Sequence, residues 1–179
     1  ISTNYNAINV VPKYASITLK SLNNSNLKNI INKNEDNISI STLENNIIKC
    51  RKSSPEAFAV LSLLYPNLDY KNNNFHKDHL HPESAYKEYE KLYKGTNDCI
   101  SFAIYDSLPN LQMLDANENE SKSNKSLEQW VNEKCNGNKK EFLEKHLIPN
   151  VDLSLSNFNE FFKQRKKLLI EKLIKILSY

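Results

Sequence analysis

The 179 residues carry 24 Lys and Arg against 21 Asp and Glu, a formal net charge of +3, with 39% apolar and 25% charged residues. That is the composition of a soluble globular chain long enough to bury a core, and its small positive balance decides nothing about a polyanionic partner. No apolar run approaches the roughly 18 residues of a membrane span, and the start Ile1-Ser2-Thr3-Asn4-Tyr5 has no basic stretch followed by an apolar one, so no signal peptide is expected. Opening at Ile1 rather than Met, the sequence reads as a piece of a longer protein. Cys50, Cys99 and Cys135 are odd in number and form no Cys-x-x-Cys pair, which predicts reduced thiols and makes the cytoplasm the default location.

Residues 1–40 are weakly specified: 7–11 and 15–19 read as short strands or extended arms, and Asn23-Asn24-Ser25-Asn26 as a turn. Residues 1–49 are taken as a segment that packs on the rest of the chain or on a part of the protein outside this sequence. Ser41-Thr42-Leu43-Glu44 fits a capping box opening a helix to about Cys50. Ser54-Pro55-Glu56 supplies an N-cap, a first-turn proline and an acidic residue at the positive helix end. The following residues 57–64 are apolar nearly all round, predicting a buried central helix stopped by Pro66. After a polar loop, residues 75–80 read as a short strand turning at Pro82. A helix over 84–94 carries Tyr86, Tyr89 and Tyr93 on one side and ends at Gly95. Residues 99–105 read as strand or loop, and 108–114 as a second strand. A helix within 119–135 buries Leu127, Trp130 and Val131, with Ser126-Leu127-Glu128-Gln129 as a capping box where it properly begins. A short helix over 140–147 stops at Pro149. The last helix, 157–177, turns Phe158, Phe161, Phe162, Leu168, Leu169, Leu173 and Ile176 inward, and Lys163, Arg165, Lys166, Lys167, Lys172 and Lys175 outward.

Three of the four histidines and one aspartate fall within Phe75-His76-Lys77-Asp78-His79-Leu80-His81-Pro82, and Asn110-Leu111-Gln112-Met113-Leu114-Asp115-Ala116-Asn117-Glu118-Asn119-Glu120-Ser121-Lys122 answers them. These residue types suit phosphodiester hydrolysis with one metal ion. His79 can deprotonate water near neutral pH. Asp78 offers a hard anionic oxygen, and Asn119 a neutral carbonyl oxygen, to a single Mg²⁺ or Mn²⁺ that keeps several waters. Asn110 can accept a hydrogen bond from the second ring nitrogen of His79 and aim the base. Lys122, three residues after Asn119, can reach a phosphate oxygen from the same helical face. His76 is a further candidate ligand or phosphate contact, sharing a strand face with Asp78.

The pattern of Asp-His, a later Asn before an apolar pair, and Asn-x-x-Lys resembles the HNH (ββα-metal) endonucleases. More narrowly, it is similar to the C-terminal nuclease domain of GmrSD-like, modification-dependent restriction proteins, over about residues 50–179. The resemblance implies a mostly α domain with an embedded ββα-metal motif. It also implies His79, Asn110 and Lys122 in catalysis, and Asp78 and Asn119 on the metal. The implied function is a metal-dependent endonuclease acting on double-stranded DNA, the effector of a bacterial restriction or phage-defence protein. Its implied partner is an N-terminal nucleotide-hydrolysing sensor domain of the same protein; with only Gly95 and Gly137 present, a phosphate-cradling loop is not expected in this sequence.

Each residue also has a plainer reading. Asn110 is a turn residue after Pro109, Asn117 competes with Asn119, and His76 and His81 are ordinary strand or turn histidines. His146 is structural beside Phe142, the tyrosine row is core, and the basic face of the last helix is either solvated or a track for DNA. At the level of function, the alternatives are a DNA-binding module without cleavage of its own and an RNA-cleaving nuclease.

Overall fold

A computed structural model describes residues 43–177. The elements expected in residues 1–42, and Ser41 of the first capping box, lie outside the described residues. A π-helical turn, Leu43–Ile47, leads to α1 (Pro55–Leu64), then β1 (Phe75–His79), α2 (Glu83–Tyr93), the single turn α3 (Phe102–Tyr105), and a 3-10 turn, Leu108–Asn110. β2 (Leu111–Asp115), α4 (Ala116–Lys122), α5 (Leu127–Lys134), α6 (Lys139–Lys145), a second 3-10 turn (Leu155–Asn157) and α7 (Phe158–Leu177) complete it. The described chain is therefore mostly helical, with one two-stranded sheet. Among the described residues no helix is long and apolar enough to cross a membrane.

Local chemistry sets the helix starts. The Ser54 hydroxyl accepts from Ala57 N at 3.2 Å, and Pro55 occupies the first turn, where its missing N–H costs nothing. Asp115 caps α4 through Glu118 N at 2.8 Å. Ser126 and Gln129 form the reciprocal capping box of α5, at 3.2 and 3.1 Å. Two expectations are revised. Residues 99–105 contain no strand: Ser101 caps the helical turn α3 instead. The helix expected in 119–135 is two helices, and α4 already starts at Ala116. Ser123, with φ of 46°, breaks the chain between them.

β1 and β2 pair antiparallel with Asp78 opposite Gln112 and His79 opposite Leu111. Side chains alternate across a strand, so this sheet is a wall between two apolar clusters. On one side Leu111 and Met113 join Leu43, Ile48, Leu61, Leu64, Leu169 and Leu173. On the other, Leu114 joins Leu80, Trp130, Leu143, Phe158 and Phe161. Burying each such side chain is worth roughly 1.5–3 kcal/mol before entropy is counted. Leu43 and Ile48 thus belong to the same core as α1 and α7, on which the described part of the N-terminal segment packs. α7 touches both clusters, and that position brings the rest of the chain to the turn after β1.

The last helix departs from its predicted faces at two places. Leu168 is exposed, and Arg165, expected outside with the lysines, is completely buried. Its guanidinium donates to the carbonyls of Leu147 (2.9 Å), Pro109 (2.7 Å) and Leu111 (2.8 Å), and to the Tyr65 hydroxyl (3.1 Å). A planar fork with five donors suits a cluster of carbonyl acceptors. Two of those carbonyls flank Asn110.

Candidate active site at the end of the first strand

Beyond His79 the strand ladder ends, yet the turn is buried, so its backbone polar groups need other partners. Leu80 N donates to Asn110 O at 2.8 Å. His81 N donates to Asn110 Oδ1 at 3.0 Å. The Tyr105 hydroxyl donates to His81 O at 2.5 Å. The Lys122 ammonium donates to His79 O at 2.7 Å. The carboxamide of Asn110 also donates to Tyr105 O at 3.1 Å. One asparagine therefore ties the turn after β1 to the loop before β2.

Asn110 does not orient the His79 ring, contrary to the expectation, because both ends of its side chain are taken by backbone groups. Asp106 does so instead: its Oδ1 lies 2.9 Å from His79 Nε2. A carboxylate there selects the tautomer with the proton on Nε2, leaving the lone pair on Nδ1. Nδ1 makes no hydrogen bond among the described residues, and unlike Nε2 of His81 and of His146 it is not sealed off. The ring stacks on Tyr105 at 4.9 Å between centroids. Burial lowers the affinity of His79 for a second proton, against the opposing pull of Asp106. The ring is thus held neutral at pH 7, with one basic nitrogen free, as a general base requires.

Asp78, on the other face of the sheet, lies with its Oδ2 2.9 Å from the Lys122 ammonium. The contact is close enough for an ion pair but too poorly angled for a hydrogen bond. Lys122 is completely buried. Burial lowers its pKa and Asp78 raises it in part. The expected reach of Lys122 to a phosphate is not what the structure shows, since its ammonium is enclosed between Asp78 and the His79 carbonyl. α4 packs on both strands, and Asn119, one turn before Lys122, shares its helical face. The Asn119 side chain is partly exposed and makes no hydrogen bond among the described residues. His76 is exposed on β1, and Asn117 is exposed on α4.

His81 and His146 have the plainer role. His81 lies edge-on to Phe158 and Phe161 at 5.4 and 4.7 Å, and His146 lies against Trp130 and Phe142 at 4.8 and 4.4 Å. Burial drives the pKa of each down to about 3. Tyr86 and Tyr89 are likewise core.

The residue that sequence reasoning missed is Asp106. Its signal was thin: an acidic side chain shortly before Pro109-Asn110, 27 positions from His79. Nothing in the local pattern points it at the imidazole.

No protein-family model matches the chain, and no curated protein matches it.

Proposed function

We propose that the chain is a metal-dependent endonuclease that hydrolyses DNA phosphodiester bonds through an embedded ββα-metal motif. The observation that carries this reading is the His79–Asp106 pair. It is a buried, neutral imidazole with Nε2 held by a carboxylate and Nδ1 left bare, one residue from a carboxylate on the opposite face. The succession of β1, β2 and α4, with the helix packed on both strands, supports the same reading.

The donor set suits one hard divalent ion. Asp78 meets Lys122 through Oδ2, and Asn119 keeps its carboxamide without a hydrogen bond among the described residues. Among the described residues no three His, Cys, Asp or Glu side chains gather as a ligand group, so waters and a phosphate oxygen would complete the shell, as Mg²⁺ tolerates. Asp78 and Asn119 would hold the ion, with His76 as a further candidate. Bound there, Mg²⁺ or Mn²⁺ supplies charge neutralisation on the scissile phosphate and the departing 3′-oxygen.

The protein's own contribution is the rest. Nδ1 of His79 takes the proton of the attacking water, and Asp106 stabilises the imidazolium that forms. Lys122 fixes Asp78 and the backbone of His79 together. Asn110 holds the turn that carries the base. The substrate is double-stranded DNA, and the activity is that of the effector portion of a bacterial restriction or phage-defence protein, controlled by a nucleotide-hydrolysing sensor portion of the same protein.

The test is nicking of supercoiled plasmid with added Mg²⁺ or Mn²⁺ by wild type, His79→Ala and Asp78→Ala. His79→Ala should lose roughly 10²–10⁴-fold in rate, the usual share of a general base, while binding of DNA stays near wild type. Equal loss of binding and cleavage, or EDTA-resistant nicking, would overturn the assignment.

A further inference from the structure

The phosphate contact expected of Lys122 is not free to be made, so another cation has to meet the substrate's charge. The segment after the π-helical turn supplies one. Arg51 forms an isolated antiparallel bridge with Ser107, and Lys52 N donates to Asp106 O at 3.3 Å. Asp106 is thereby gripped at both ends: Lys52 holds its backbone, and its carboxylate holds His79. The Lys52 side chain is partly exposed and, among the described residues, makes no ion pair or hydrogen bond.

Two of the neighbouring cations are already committed. The Lys77 ammonium donates to Ser54 O at 2.8 Å, and Lys87 pairs with Glu83. Asp78 is occupied by Lys122, and Asp106 by His79. One further carboxylate, Glu56 on the first turn of α1, makes no hydrogen bond or ion pair among the described residues, and a single negative charge offsets only part of the charge of Arg51, Lys52 and Lys77. We propose that Lys52 is the side chain that contacts the DNA phosphate next to the His79–Asp106 pair. This inference rests on the nuclease reading for its substrate, but its test does not need cleavage.

Binding of a fluorescein-labelled DNA duplex is measured by anisotropy in EDTA, over a series of salt concentrations, for wild type, Lys52→Ala, Lys52→Arg and Lys91→Ala. Each lost phosphate contact reduces the slope of log affinity against log salt by about one. Lys52→Ala should show that change and bind roughly tenfold more weakly at low salt, the usual worth of one charge-assisted contact. Lys52→Arg should restore most of it, and Lys91→Ala, at the far end of α2, should behave as wild type. Wild-type affinity and slope in Lys52→Ala overturn the proposal, even if the protein nicks plasmid. A Lys52-dependent slope without nicking in Mg²⁺ or Mn²⁺ leaves the contact standing and sinks the nuclease reading. No binding by wild type overturns both.

Discussion

Arg165→Lys is the substitution that separates the fold's support of the site from the chemistry of the site. The wild-type guanidinium is completely buried and makes four hydrogen bonds: to Leu147 O, Pro109 O, Leu111 O and Tyr65 Oη. Lysine keeps the charge but concentrates its donors at one atom, which cannot span acceptors arrayed around a fork. With two of the four bonds lost, at roughly 1.5–3 kcal/mol for each bond to a charged group, the cost is about 3–6 kcal/mol. That is a large share of the 5–15 kcal/mol typical of a domain. At about 2–4 °C per kcal/mol for a chain of this size, the melting temperature should fall by roughly 10–20 °C. Because Pro109 O and Leu111 O bracket Asn110, the turn carrying His79 should loosen before the whole chain unfolds. Urea unfolding with hydrogen exchange at Leu80 and His81 reads both effects. A stability change under about 1 kcal/mol, with unchanged protection of those two amides, would refute the clamp.

Two further predictions concern protons. Asp106→Asn should place an amide donor against Nε2, move the ring proton of His79 to Nδ1, and remove the lone pair that takes the water's proton. Ring ¹⁵N shifts should report the altered tautomer, and nicking should fall roughly 10²–10⁴-fold; wild-type rate with a wild-type tautomer would discard the orienting role of Asp106. Acid should also unfold the protein early. His81 and His146 have folded pKa values of about 3, below the roughly 6.5 of an unfolded chain. Above about pH 6.5 both states are neutral and neither histidine contributes a slope. Below it the unfolded state binds the protons, so stability drops by up to about 1.4 kcal/mol per pH unit for each histidine, down to about pH 3. Melting temperatures across pH 4.5–7.5 check this. The acid slope should be smaller in His146→Phe, and an equal slope in wild type and variant would count against it.

How far the sequence reached depended on whether the physics was local. The start of α1 follows from Ser54-Pro55-Glu56 and that of α5 from Ser126 and Gln129, because a cap is settled by groups three residues apart. The two strands followed from the apolar residues around Asp78-His79 and Leu111-Leu114, although β2 starts only after a 3-10 turn. The histidine–aspartate stretch and the Asn-x-x-Lys spacing also stood in plain order along the chain. What no local pattern contained was the pairing. Asp106 meets His79 only because a 31-residue connection, residues 80–110, folds back beside β1. Asn110 spends its side chain on backbone groups because the buried turn leaves them without a ladder. Lys122 read as a phosphate contact and Arg165 as a surface cation, since a charged side chain on a helix usually faces solvent or substrate. Tertiary structure turned both inward, where buried carbonyls and one carboxylate offered what water would otherwise supply. Side-chain type and spacing determined which groups could act; the closure of the loops around β1 decided which of them touch.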